Sequence, residues 1–547
     1  MKNFKGIYLI FSFLSSTFFS LAQNSYWQQE VNYNIQVELN TGNHTLAGQL
    51  SLVYTNNSPD KLNFIWFHLW PNAYKDKNTA LFKQLQNSES RKEKVDSVTE
   101  MGFITELDWK VNNQKATTIP HEEYADIVKV MLPEILLPGG SITISTPFKV
   151  KLPDYFSRLG FKNAEHMITQ WYPKPAVYDV LGWHPIPYLD LGEFYSEFGS
   201  FKVDITVPAN YVVAATGTLL DIDEYEKYKE IGAKNYAVIK TAINNNDSSD
   251  YNKLISKLEW YKPMKNSLTK TLHYSAQNVH DFAWFADTNF VINYDNLKLY
   301  TQKRVDAFTF YHKESIDKWM MSCNYVKDAV SFYTINVGEY PYAVVNAVEG
   351  PVNSGSGGME YPMVTLITQP DASHELLDAI ITHEVGHNWF YGILGNNERF
   401  HPWMDEGMNT FFQYRYEATK YKANSILPPT PSNLLKLSVP EFETIIYKSF
   451  TQIKIEDKID KEATAYETDE LYGGSVYMKA AMWMHLLEME MGKEDFQKGI
   501  EMYFEKWKFK HPYPEDFRKV MEDAAGKSLK KIFKMLNQKG SFTRDDF

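Results

Sequence analysis

Apolar and polar positions alternate with a period of two over several stretches in the first half of the chain. Tyr33, Ile35, Val37 and Leu39 are separated by Asn34, Gln36 and Glu38, and residues 49–54, 201–207 and, more weakly, 270–274 repeat the pattern. Successive side chains of a strand point to opposite faces, so each run predicts a strand with one buried side. Thr41-Gly42-Asn43, Asn56-Asn57-Ser58-Pro59 and Pro138-Gly139-Gly140 supply turns between such runs. The polar stretch 221–258, with Asn244-Asn245-Asn246-Asp247-Ser248-Ser249 inside it, predicts a surface excursion from this β-rich part. From about residue 290 short strands alternate with helices up to Thr368, and helices dominate thereafter: 373–391, a stretch opening at Trp403, 474–491, 493–507, and 514 onward. The pattern predicts an α+β, multidomain chain: a β-domain over 23–285, then a mixed and finally helical domain over 286–547.

The first 22 residues stand outside that fold. Lys2 and Lys5 precede an apolar, Ser/Phe-rich run, and Ser20-Leu21-Ala22 ends it with a small-x-small site. This reads as a secretory signal peptide, with an uncleaved anchor as the alternative. The expected location is therefore exported, periplasmic or secreted, of bacterial type, with no stable membrane anchor after cleavage. Cys323 is the only cysteine, so no intramolecular disulfide is expected, and its reading is a small core residue. The formal charge is −12, and −14 once Lys2 and Lys5 leave with the leader. That balance argues against nucleic acid as a partner.

The chemistry concentrates at His383-Glu384-Val385-Gly386-His387 and at Glu406. Two histidines four apart on a helix share a face, so both imidazoles reach one metal ion. Ser373 caps this predicted helix, and Leu376, Leu377, Ile380, Ile381, Val385 and Trp389 give it an apolar side. Glu406 offers a third ligand from a second helix. Two histidines and a carboxylate with one position left open make a catalytic zinc pattern, not a closed structural one. Glu384, between the ligands, is placed to act as general base on a metal-activated water. Asp405, Asn409 and Thr410 are candidate partners for the far nitrogens of the histidines, with no sequence basis for choosing among them.

The segment resembles the gluzincins, the thermolysin-like zinc peptidases, and two further motifs narrow the likeness to the aminopeptidase-N-like family, which includes leukotriene hydrolase. Gly357-Gly358-Met359-Glu360-Tyr361 is similar to the family's Gly-x-Met-Glu-Asn exopeptidase motif, and Tyr477-Met478-Lys479-Ala480-Ala481 to its Tyr-x-Lys-Gly-Ala motif. Gln170-Trp171-Tyr172-Pro173 and residues 201–217 look like its N-terminal β-domain. The resemblance implies a saddle-like antiparallel N-terminal sheet followed by a thermolysin-like catalytic domain. It also implies one zinc ion per chain, and peptides with a free N-terminus as substrates. It assigns oxyanion stabilisation to Tyr477, with Tyr472 as the competitor. It assigns substrate binding to Glu360, Gly357, Gly358, Met359 and Gln170, Glu360 holding the α-amino group. Tyr361 replaces the family's asparagine, and Tyr172 stands where a second amine-gripping group is often found. Seventy residues follow Tyr477, so the family's large helical C-terminal domain is not expected. Two alternatives remain open on sequence: an endo- or oligopeptidase with weakened amine recognition, and a non-catalytic peptide-binding protein.

Overall fold

A computed structural model describes residues 26–547 apart from 89–90, 97, 246–249, 265–266, 353–356, 370–371 and 456. The expected signal peptide lies outside the described residues.

The period-two runs form strands. Glu30–Asn40, Thr45–Thr55, Ser141–Lys151, Gly199–Pro208 and Thr269–Val279 are the long strands of one sheet, which has nine strands among the described residues. Tyr33 pairs with Leu52 in the antiparallel neighbour and with Phe201 in a parallel one. Val31, Tyr33, Ile35, Val37 and Leu39 are all buried, as the alternation requires. The sheet is therefore antiparallel but for one parallel pair, Glu30–Asn40 with Gly199–Pro208. A smaller sheet includes Glu165–Ile168 and Trp284–Asp287, the latter crossing the boundary expected at 285/286.

The second half opens with a five-stranded sheet in the order Val291–Lys298, Arg304–Tyr311, Val344–Glu349, Val364–Ile367, Gly358–Tyr361. The three middle strands run parallel, and Gly358–Tyr361 lies antiparallel at the edge. Helix Ser322–Asn336 makes the crossover between the first parallel pair, which needs a connection long enough to return the chain. Helices His374–Gly386, Glu406–Tyr421, Val439–Phe450, Ala480–Met491, Lys493–Trp507 and Pro514–Ala525 follow. No helix among the described residues is long and apolar enough to cross a membrane.

The excursion expected over 221–258 is in large part regular structure: Ile222–Asn244 is a 23-residue helix, and 246–249 of the asparagine- and serine-rich run lie outside the described residues. It packs on the edge strand Val291–Lys298 of the second sheet. Gly232 allows the close approach, since a Cβ there would come within 2.8 Å of Tyr294 N. Asn235 Nδ2 donates to Ile292 O at 3.1 Å. Its buried face holds Glu224, Tyr228, Gly232, Asn235 and Tyr236 beside Ile231 and Ile239, so the stripe that would reveal a helix is half polar.

Candidate metal centre and active site

Helix His374–Gly386 starts as expected, Ser373 Oγ accepting from Leu376 N at 3.3 Å. It stops at Gly386, earlier than residue 391, and His387 sits at the cap. Helix Glu406–Tyr421 crosses it closely. A Cβ on Gly386 would lie 2.2 Å from both Asn409 Oδ1 and Tyr333 Oη, so only glycine fits. Asn409 fastens the crossing by donating to His383 O at 2.7 Å and accepting from the Tyr333 hydroxyl at 2.6 Å.

The crossing brings the three expected ligands together. His383 Nε2 and His387 Nε2 lie 3.0 Å apart, and Glu406 Oε2 lies 3.1 and 3.2 Å from them. The opposite ring nitrogens fix the tautomers. His387 Nδ1 faces Asp405 Oδ1 at 2.6 Å and His383 Nδ1 faces Gln413 Oε1 at 2.9 Å. Both partners accept, so both Nδ1 atoms carry protons and both Nε2 lone pairs converge with a carboxylate oxygen. Ligands about 2.1 Å from a shared zinc are separated by roughly 3 Å, which is the spacing here. The residues present fit zinc. Of the candidate partners, Asp405 takes His387, whereas Asn409 serves the helix crossing.

Glu384 is buried and its Oε2 has no hydrogen-bond partner. Burial pushes its carboxyl up to about 7, against the pull of His383 and His387. Tyr477 sits in a π-turn, Gly474–Lys479, ahead of helix Ala480–Met491. Its hydroxyl donates to Glu406 Oε1 at 2.5 Å and its ring stacks beside His383. Tyr472, edge-on to Tyr477, also lines the cavity, and its hydroxyl is buried without a partner.

A cavity of about 360 Å³ opens on the metal ligands. Gly357, Gly358, Met359 and Glu360 line it along the edge strand, opposite Ala379, Ile380, His383 and Glu384 on the helix. Gly358 leaves no room for a side chain: its Cβ would meet Leu366 O at 2.5 Å and Glu384 Cδ at 2.6 Å. Glu360 is 9% exposed, its Oε1 is unpartnered, and burial drives its carboxyl well above the ordinary range. Gln170 does not line the cavity. It is buried with φ at +46° and its Oε1 accepts from the Tyr361 hydroxyl at 3.3 Å.

Three contributors escaped the sequence reading. Glu193, from the loop of the β-domain, lines the cavity and takes both oxygens to Arg158 NH2 at 2.6 and 2.7 Å. Arg158 Nε also points at Met359 Sδ, 2.9 Å away, tying the pair to the edge strand. Neither residue sits in a periodic run or a motif. Gln413 had a signal: it lies seven residues after Glu406, two turns along the same helix face.

A β-domain beside a five-stranded sheet with a two-histidine, one-carboxylate cradle is an arrangement whose donor set fits a zinc ion. Residues 333–536 match the model of the peptidase family M1 domain. Glutamyl aminopeptidase of Bos taurus is 27% identical over 197 residues, 32% of this chain and 19% of that protein. A leukotriene A-4 hydrolase homolog of Botryotinia fuckeliana is 26% identical over 215 residues, 36% of this chain and 31% of that protein. The chain thus spans a minor part of these curated relatives. Among solved structures, an M1 zinc metallopeptidase mutant of Deinococcus radiodurans bound to a Tyr-Ser-Ala substrate aligns over 93% of this chain and 94% of its own, with TM-score 0.59 and 13% identity. Legionella pneumophila aminopeptidase A, in complex with aspartic acid, aligns over 95% and 50%, with TM-score 0.61 and 13% identity. These likenesses establish the fold.

Proposed function

We propose that the chain is an exported zinc aminopeptidase that removes N-terminal residues from peptides. The observation that carries this reading is Glu360: a buried carboxylate with an unpartnered oxygen, on the edge strand that walls the same cavity as the metal ligands. Such a group binds an ammonium in a charge-assisted contact that an internal peptide bond cannot make. Export rests on the leader-like residues 1–22.

His383, His387 and Glu406 would hold the zinc, which when bound polarises the scissile carbonyl and acidifies the attacking water. Glu384 takes a proton from that water and passes it to the leaving nitrogen, so the amine departs neutral. Burial raises this carboxyl from the ordinary range, which favours its holding the proton between the two halves of the shuttle. As negative charge gathers on the carbonyl oxygen, the Tyr477 hydroxyl, which here points at Glu406, would turn to donate a hydrogen bond to it while keeping its proton. Gly357 and Gly358 let the substrate backbone lie along the edge strand as an added strand. Arg158 holds the Glu193 carboxylate, so the amine relies chiefly on Glu360.

That last arrangement favours one second reading, a peptidase with relaxed amine recognition. A panel of aminoacyl chromogenic substrates, each also N-acetylated, separates the two. The aminopeptidase loses turnover on acetylation, whereas the relaxed enzyme keeps it. Activity abolished by chelator and restored by zinc is expected in both cases. A protein inert towards every substrate with zinc bound would leave only peptide binding.

A further inference from the structure

Away from the cavity, four titratable side chains meet where the two halves of the chain touch. Glu165 begins strand Glu165–Ile168, and Asp287 ends strand Trp284–Asp287, which pairs with it. His312 follows strand Arg304–Tyr311, and Glu349 ends strand Val344–Glu349, both in the second sheet. His312 Nε2 lies 3.7 Å from Asp287 Oδ2, and His312 Nδ1 lies 3.7 Å from Glu349 Oε2. Both separations are too long for a hydrogen bond. The Nε2–Asp287 separation can be spanned by one cation about 2.1 Å from each atom with a wide angle between them, while Glu349 faces the opposite ring nitrogen.

Ligand atoms of Glu165, Asp287 and His312 all fall within 4.8 Å of one another. Glu165 Oε1 is sealed from solvent and accepts no hydrogen bond. Asp287 and Glu349 are 3% and 4% exposed. Glu349 is already engaged, accepting from His312 N at 2.7 Å and from Ser315 Oγ at 2.5 Å. Glu165 and Asp287 are thus the carboxylates left to face Nε2. Three carboxylates gather around one imidazole, and the nearby lysine, Lys162, is exposed. Burial pushes the Glu165 carboxyl up to about 8 against the pull of His312, with Asp287 and Glu349 adding repulsion, and Asp287 and Glu349 hold the buried His312 imidazole up at about 10, so a single imidazolium is left to balance three carboxylates. Buried carboxylates without a compensating cation are costly.

We propose that Glu165, Asp287 and His312 Nε2 form a second divalent-cation site, of the class filled by zinc, which ties the β-domain to the second sheet. Glu349 faces the imidazole from the Nδ1 side at ion-pair distance and attracts it electrostatically without hydrogen-bonding it. Imidazole with two carboxylates suits zinc better than calcium or magnesium, which prefer oxygen alone. The site is independent of the proposed peptidase chemistry, since none of these four residues lines the cavity.

Metal analysis of the full chain, loaded with zinc and dialysed, tests it. The expected content is two zinc ions per chain, falling to one in His312→Ala and in Glu165→Gln. It falls to one in His383→Ala and to none in His383→Ala with Glu165→Gln. Glu165 is only partly buried, so its conservative variant keeps the test available if His312→Ala does not fold. Adding zinc should raise the Tm of His383→Ala but not of the double variant. One zinc per wild-type chain, lost wholly in His383→Ala, would overturn the proposal and leave His312 as an imidazolium bridging two carboxylates. Two zinc ions retained in both His312→Ala and Glu165→Gln would overturn it equally.

Discussion

Replacing Gly358 by alanine probes how the edge strand positions Glu384, the proposed general base. The new Cβ would sit 2.5 Å from Leu366 O and 2.6 and 2.7 Å from Glu384 Cδ and Cγ. Ordinary contact needs about 3.5 Å, so roughly 1 Å must be found on one side. Leu366 O belongs to the backbone of strand Val364–Ile367, held on one side by Gly358–Tyr361 and on the other by Val344–Glu349. Glu384, by contrast, hangs on a rotatable side chain with one oxygen unpartnered. The carboxylate therefore gives way. A misplacement of about 1 Å in a reacting group costs on the order of 10²-fold, or roughly 2.7 kcal/mol of barrier. Gly358→Ala is expected to lower kcat about 10²-fold on an aminoacyl substrate and to keep its zinc, because the three atoms nearest the new Cβ belong to Leu366 and Glu384 and not to the proposed metal ligands. Steady-state kinetics with metal analysis on the same sample provides the check. A kcat within threefold of wild type, at full zinc, would refute the steric argument.

Glu384→Gln should bind zinc normally and lose turnover by about 10²–10⁴-fold, and normal hydrolysis would remove Glu384 from the proton shuttle. Tyr477→Phe should lower kcat by about 10²-fold with a smaller change in KM, and an unchanged kcat would move the oxyanion contact to Tyr472. Arg158→Met leaves Glu193 buried without its cation and should cost about 3–5 kcal/mol in urea unfolding, with part recovered by adding Glu193→Gln. Asp126 is buried and its carboxyl is pushed up to about 7, so its folded form holds a proton that the unfolded chain releases near pH 4. Its contribution is full below that pH and is lost as pH rises through about 7. Asp126→Asn can still accept from Tyr188 N, so its Tm should fall less than that of wild type between pH 4 and pH 7, and parallel profiles would contradict the assignment.

The convergence of His383 and His387 was legible because helical spacing alone places them on one face, whatever the rest of the fold does. The long strands were legible because one face is buried and the other wet. Helix Ile222–Asn244 was not, because a tyrosine- and asparagine-bearing side packs on a sheet edge and blurs the apolar stripe. Arg158 and Glu193 were hidden for a different reason. They are 35 residues apart, outside any repeating element, and meet only because the β-domain folds over the cavity. The choice among Asp405, Asn409 and Thr410 also needed three dimensions. It turns on the angle at which two helices cross at Gly386, which spacing along one chain does not encode.

The π-turn that carries Tyr477 has a consequence for how freely this region can change length. A residue in a regular helix advances about 100° around the axis. The wider turn at Gly474–Lys479 absorbs one extra residue, so the tyrosine and the helix behind it are phased by that surplus. Trimming a single residue there would swing the phenol off the cavity while leaving every neighbouring side chain chemically intact. Insertions and deletions in this short span are therefore as consequential as replacing the tyrosine itself.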